Sequence, residues 1–250
     1  MEALKKIRVL NANAIKFIAA ALMLVDHTGL MLFPKLTIFR IIGRLSMPLF
    51  AFAVSEGCRY TKNKIKHLAL MLGLGVGCQL VYFFFSGDTY LNILITFSLS
   101  IVIIYAMQFF KKCLFSECKL LVKMGAGALF LASGVGAYLF CRFFTVDYGI
   151  TGVLLPVFAS ILDFRQIPAP EKLQKFDAIP WRLLCFFIGL LCFLYVRRTN
   201  PIAPYTLLSM VFLLLYNGEK GKLKTKYFFY IFYPLHLALL EGIYLLLTLL

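Results

Sequence analysis

Most of this chain reads as consecutive runs of about 20 apolar residues, the length at which an α-helix spans the roughly 30 Å hydrocarbon core of a bilayer. Such runs fall near 14–33, 37–58, 67–86, 90–110, 120–141, 148–164, 179–196, 202–216 and 227–249, the sixth and eighth being short. Backbone at that depth has no water to bond to, so the runs are expected to be helices. Hydrophobic residues make up 62% of the chain, well above the roughly 45–50% of soluble domains. The expectation is an all-α, polytopic integral membrane helical bundle of about nine transmembrane helices. No hydrophilic stretch is long enough for a soluble domain, so residues 1–250 are read as a single membrane domain. The first run is too long for a signal-peptide core, carries Asp26 and His27, and lacks a small-x-small cleavage site, all of which argue for a span.

The net charge of +15 would suit nucleic acid if it were clustered on one surface, but it is distributed by topology. Lys5, Lys6 and Arg8 precede the first run; Arg59, Lys62, Lys64 and Lys66 follow the second; Lys111, Lys112, Lys119 and Lys123 follow the fourth. Lys172, Lys175 and Arg182 follow the sixth, and Lys220, Lys222, Lys224 and Lys226 the eighth. Every second connection is therefore basic, the positive-inside pattern, and the amino terminus is expected in the cytoplasm. The intervening connections, Phe33 to Leu36, Ser86 to Thr89, Arg142 to Tyr148 and Arg197 to Pro201, are expected outside; only Arg197 and Arg198 run against the pattern. The bilayer is thus the implied partner, and no nucleic acid is expected.

The seven cysteines are scattered without a CxxC pair, which fits small packing residues and neither a disulfide nor a zinc site. No HExxH occurs, so no metal is expected. No internal repeat with paired broken helices is visible, which weighs mildly against transport.

An ionisable side chain in the middle of a span costs about 2.5–3.5 kcal/mol on insertion scales, so each needs a partner, a wet cavity or a task. His27 is 13 residues from Ala14, roughly 20 Å along a helix axis rising about 1.5 Å per residue, in the outer half of the bilayer. Arg40 and Arg44 are one turn apart on one face of the second run. The link between the two runs is short, so Asp26 and His27 are expected to face Arg40 and Arg44. Gly43 permits close approach, and Pro48 should kink the helix or free a carbonyl. A bland reading makes Asp26 and one arginine a structural pair, with Arg40 snorkelling to headgroups. That leaves the histidine and second arginine without a task.

Three further groups reach the same level or approach it. Asn92 opens the fourth run and Asp147 precedes the sixth, each with helix capping as its ordinary role. His236 lies about ten residues into the last run, with Pro234 loosening the helix and Tyr233 one turn away; a lone histidine there is often satisfied by a nearby carbonyl. Glu56 is expected to pair with Arg59, and Glu241 to lie near the outer interface.

Five stretches in order, AIKFIAAALMLVDHTGLMLFP, FRIIGRLSMPLFAFAVSEGCRYT, LNILITFSL, VDYGITGVLL and YFFYIFYPLHLALL, together resemble the TraX family, associated with acetylation of conjugative F-pilin and distantly akin to membrane acyltransferases that use acetyl-CoA. The resemblance spans nearly the whole chain. It implies an N- or O-acetyltransferase with an intramembrane histidine at its centre, taking acetyl groups from cytosolic acetyl-CoA to an acceptor on the far side. Pilin, a saccharide, a peptide and a lipid head group all remain open as acceptor, as does assembly into a homo-oligomer.

Acyl transfer needs a base for the attacking hydroxyl or amine and a positive or hydrogen-bonding group where the oxyanion develops. His27 suits the base. Asp26 is set about 100° away on the helix and either orients an arginine or swings toward His27 at a local break. Arg40 and Arg44 suit the thioester carbonyl or the CoA phosphates, and Asn92, Asp147, Tyr233 and His236 would line the substrate passage. The competing readings are a proton-coupled transporter using the same charges as a relay, and an accessory subunit gripping another membrane protein.

Overall fold

A computed structural model of the chain describes residues 8–87, 89–223 and 226–249, with backbone alone at 85, 86, 226 and 227. Lys5, Lys6, Asp88 and Lys224 and the side chain of Lys226, which enter the charge pattern above, lie outside the described residues. The described residues form helices α1 (Ala12–Met31), α2 (Thr37–Gly43), α3 (Ser46–Tyr60), α4 (Lys64–Ser86), α5 (Ile93–Leu114) and α6 (Leu120–Phe143). They continue with α7 (Gly149–Ser160), α8 (Glu171–Gln174), α9 (Ile179–Val196), a 3₁₀ turn (Ala203–Leu208), α10 (Ser209–Leu214) and α11 (Lys226–Leu249).

Among the described residues, seven helical segments are long and apolar enough to cross a membrane, and Gly149–Ser160 and Ala203–Leu214 are shorter apolar ones. The chain is a multi-pass membrane protein of all-α architecture. The two short segments are the two that read as short in the sequence. Pro204 sits in the first turn of the 3₁₀ segment, where a missing N–H is tolerated but a full α-helical ladder is not established.

Starts and stops follow local chemistry. Asn11 accepts from Ala14 N to begin α1, Asn63 accepts from Lys66 N to begin α4, and Asn92 accepts from Leu94 N to begin α5; each satisfies an orphan donor. Gly87, with φ 67°, ends α4 in the left-handed conformation that costs glycine least.

The second apolar run is broken. Pro48 has no N–H to offer the carbonyl of Arg44, and its ring crowds that carbonyl. The helix accordingly ends at Gly43 and restarts at Ser46, with Arg44 N and Leu45 N making tighter bonds to Ile41 O and Ile42 O, both at 3.3 Å. The Ser46 hydroxyl donates to the Ala19 carbonyl at 2.8 Å, fixing the break against α1.

The chain divides into two compact units: Met1–Ala53 with Leu194–Leu250, and Val54–Phe193. In the first, α1 packs on α2 and on α11. The segment before α1 is tied down by Leu10 N donating to Leu215 O at 2.9 Å and Ala12 N to Glu219 O at 2.8 Å. Ile15, Leu49, Leu213 and Tyr216 are fully buried there. In the second, α5 packs on α4, α6 and α7, around buried Ile101, Ile104, Val153 and Leu155. The outward residues of α6, including Leu121, Leu131 and Val135, are exposed, as a lipid-facing surface requires.

Candidate functional site

The first unit gathers the ionisable residues of α1, α2 and α11. Close approach of α1 and α2 is made by glycine: a Cβ on Gly43 would overlap the Asp26 side chain, and one on Gly29 would overlap Phe39. Small residues at such contacts let helix backbones come together. Asp26 is thereby delivered to the arginines. Its Oδ2 lies 2.7 Å from Arg40 Nη1, which also donates to the Asp26 carbonyl at 3.2 Å.

Arg44 is held differently. Its Nη2 is 3.8 Å from Asp26 Oδ1, beyond hydrogen-bond range, and its buried Nε has no hydrogen-bond partner. Asp26 Oδ1 is likewise without one. Arg40 is therefore committed to Asp26, while Arg44 is close enough to balance charge and keeps donors to spare.

His27 meets His236. Helix α1 runs unbroken through Asp26 and His27, so the roughly 100° step between neighbours sends them to different partners. His27 Nδ1 and His236 Nε2 are 2.8 Å apart, and His236 Nδ1 is 2.8 Å from the Phe232 carbonyl oxygen. The Phe232 ring stacks on His236 with centroids 4.8 Å apart and planes within 8°, and Tyr233 approaches its edge at 5.9 Å. His236 is buried at 4% exposure.

Of the residues singled out in the sequence, Asp26, His27, Arg40, Arg44, Tyr233 and His236 are thus brought together in one unit. Asp26 turns to Arg40 and leaves His27 to a histidine. His236, expected to flank a passage, is the direct partner of His27.

Asn92 and Asp147 belong to the other unit. Asn92 is buried, caps α5, and donates from Nδ2 to Gly75 O at 2.8 Å and to Gln79 Oε1 at 3.3 Å; its ordinary capping role accounts for its position. Asp147 N donates to Leu91 O at 2.8 Å, its carbonyl accepts from Thr96 Oγ1 at 2.8 Å, and its carboxylate accepts from Tyr90 at 3.1 Å. The next residue, Tyr148, has φ 61° and makes no side-chain cap on α7.

A second ionic cluster lies in that unit and was not expected from sequence. Glu56 pairs with Arg182, not with Arg59, and both are 3% exposed. Arg59 instead grips Asp177 with both terminal nitrogens and donates to Asp163 Oδ1 at 2.5 Å. Gln108 Nε2 reaches Asp163 Oδ2 at 3.3 Å, and Lys111 donates to the carbonyls of Ser160 and Ile161 at the end of α7, at 3.2 and 2.6 Å. Asp163 closes the sixth apolar run and Asp177 stands in the connection after it, which was read only for its basic residues; a carboxylate at the end of an apolar run was the available signal. His67, also passed over, lies 2.7 Å through Nδ1 from the Tyr105 hydroxyl. Among the described residues no group of three or more His, Cys, Asp or Glu is arranged to hold a metal.

The family model "TraX protein" matches residues 11–244. The chain belongs to the TraX family. A curated relative, the probable fimbrial assembly protein FimC of serogroup H1 from Dichelobacter nodosus, is 28% identical over 92% of this chain and 94% of its own length. An uncharacterized protein of Rickettsia prowazekii (strain Madrid E) is 52% identical to this TraX family member over a short stretch, 16% of either chain. No solved structure matches it.

Proposed function

We propose that this TraX family member is an integral membrane acetyltransferase that moves an acetyl group from cytosolic acetyl-CoA to an amine or hydroxyl acceptor at the outer face. The observation that carries the reading is the pairing of His27 with the buried His236, in the unit where Arg44 keeps a buried donor unpartnered. A base and an uncommitted guanidinium are the two elements acyl transfer asks of a protein.

In this reading the acceptor nitrogen or oxygen attacks the thioester carbonyl while His27 takes its proton. Arg44 donates toward the carbonyl oxygen as negative charge develops there. The C–S bond then breaks, and the proton held by His27 passes to the departing thiolate to give CoA-SH and the acetylated acceptor. Arg40 serves by holding Asp26, and Asp26 by keeping a carboxylate between the two arginines. Cytoplasmic lysines and arginines at the helix ends attract the nucleotide end of acetyl-CoA. The association of the family with pilin acetylation and the fimbrial assembly name of the relative support a pilus or fimbrial subunit as the acceptor class.

The test is to incubate labelled acetyl-CoA with membranes from cells carrying or lacking the gene, and to follow the label. Gene-dependent transfer to a membrane or surface acceptor supports the reading. No gene-dependent transfer, with proton-coupled solute movement in vesicles instead, would overturn it in favour of a transporter.

A further inference from the structure

We propose that His236 is a positioning residue that fixes the tautomer of His27, so that the reactive atom is His27 Nε2 and the group fulfilling the orienting role of a triad carboxylate is a second histidine. This rests on the acyl-transfer reading for its purpose, but the hydrogen-bond argument stands on its own.

The chain of donors and acceptors has a fixed end. A carbonyl oxygen only accepts, so the 2.8 Å contact between His236 Nδ1 and Phe232 O requires a proton on His236 Nδ1. A neutral His236 then has a lone pair at Nε2. The 2.8 Å contact from that atom to His27 Nδ1 therefore takes its proton from His27 Nδ1. A neutral His27 is left with its lone pair at Nε2, the nitrogen directed away from His236. The nitrogen that a metal or a base uses is set in this way by the bond its other nitrogen makes.

The arrangement resists reversal. A half-turn of the His236 ring would put carbons where Nδ1 and Nε2 now stand and break both the bond to Phe232 O and the bond to His27. When His27 gains a proton at Nε2, its Nδ1–H still points at a lone pair, so the imidazolium is stabilised where it forms. Asp26 does not do this work: its Oδ2 is on Arg40 at 2.7 Å, and among the described residues its Oδ1 makes no hydrogen bond to His27 or to any other group. A neutral partner also avoids placing a second carboxylate beside Asp26 in an apolar span.

The chain has only three histidines, which makes the test direct. Purified protein labelled with ¹⁵N in the histidine rings is compared by NMR with His236→Leu and His236→Gln, resonances being assigned by loss of each ring in turn. The expected result is a wild-type His27 protonated at Nδ1 and bare at Nε2, a shift toward the Nε2–H form in His236→Leu, and retention of the Nδ1–H form in His236→Gln, whose amide oxygen supplies the acceptor.

In the acetyl-CoA assay, His236→Leu should lower kcat by roughly 10³–10⁴-fold, the scale of a wrong tautomer in a serine-protease triad, with KM changed less than about threefold. His236→Gln should recover roughly tenfold of that loss, the scale of the one hydrogen bond it restores. A wild-type His27 in the Nε2–H form, or a His27 tautomer unchanged in a folded His236→Leu protein, would overturn the proposal. Loss of acetyl transfer in the wild type with the Nδ1–H form intact would instead count against acyl transfer and leave the tautomer assignment standing.

Discussion

The side chains around Asp26 divide into one that holds the site together and one that is free to act. Removing the carboxylate with Asp26→Asn leaves Arg40, 23% exposed, without its charge partner. A fully buried pair broken this way loses about 3–5 kcal/mol, and partial exposure here brings the expected loss nearer 2, read as a lower melting temperature in detergent. Arg44→Gln should behave in the opposite sense. It breaks only a 3.8 Å contact, so melting should change little, while acetyl transfer falls by roughly 10²–10³-fold if the guanidinium stabilises the developing oxyanion. A variant with equal activity and lower melting would make Arg44 the structural member of the set. The sequence indicated which residues cluster, because charges in apolar spans are few and must find each other. It did not indicate who pairs with whom. Asp26 and His27 are adjacent in the chain, and only the direction of each side chain off an unbroken helix sends one to Arg40 and the other to His236.

At the level of helices, the site depends on how closely α1 and α2 approach. Gly43→Ala would drive a methyl group into the Asp26 side chain. Overpacking of this kind costs about 1–3 kcal/mol, and here it also separates Asp26 from Arg40, so melting temperature and activity should fall together. Gly73→Ala, where an added Cβ meets nothing within 4 Å, is the matched control and should be neutral. A break in this run was legible, since Pro48 was expected to kink the helix or free a carbonyl; the structure puts it between Gly43 and Ser46. Asn92 was legible as a cap for the same kind of reason: an Asn before an apolar run has a local job. The pairing of α1 with α11 is between segments 209 residues apart at His27 and His236. No local pattern carries that information.

At the scale of the whole molecule, the chain is an all-α membrane protein of the TraX family, with its polar chemistry gathered into two clusters that were unequally visible. The first could be anticipated because its members lie in apolar spans. The second, around Arg59, was obscured because Asp163 stands at the very end of the short sixth apolar run and Asp177 in the hydrophilic connection after it, where carboxylates attract no notice. Arg59→Met would leave both carboxylates without the guanidinium they share, in a site where Asp163 is 5% and Asp177 14% exposed. Folding stability should drop by about 3–5 kcal/mol, measured by thermal unfolding, and addition of salt should not rescue it, because buried charges are weakly screened. The most direct test of the central claim is the acetyl-CoA reaction of the purified protein and of His27→Ala in the same detergent, with melting temperatures measured alongside. Acyl transfer through this histidine predicts wild-type turnover, a loss of at least 100-fold in His27→Ala, as general bases contribute about 10²–10⁴-fold, and a folded variant that melts somewhat lower because His236 Nε2 loses its partner. A folded His27→Ala protein that transfers acetyl groups at the wild-type rate would contradict it.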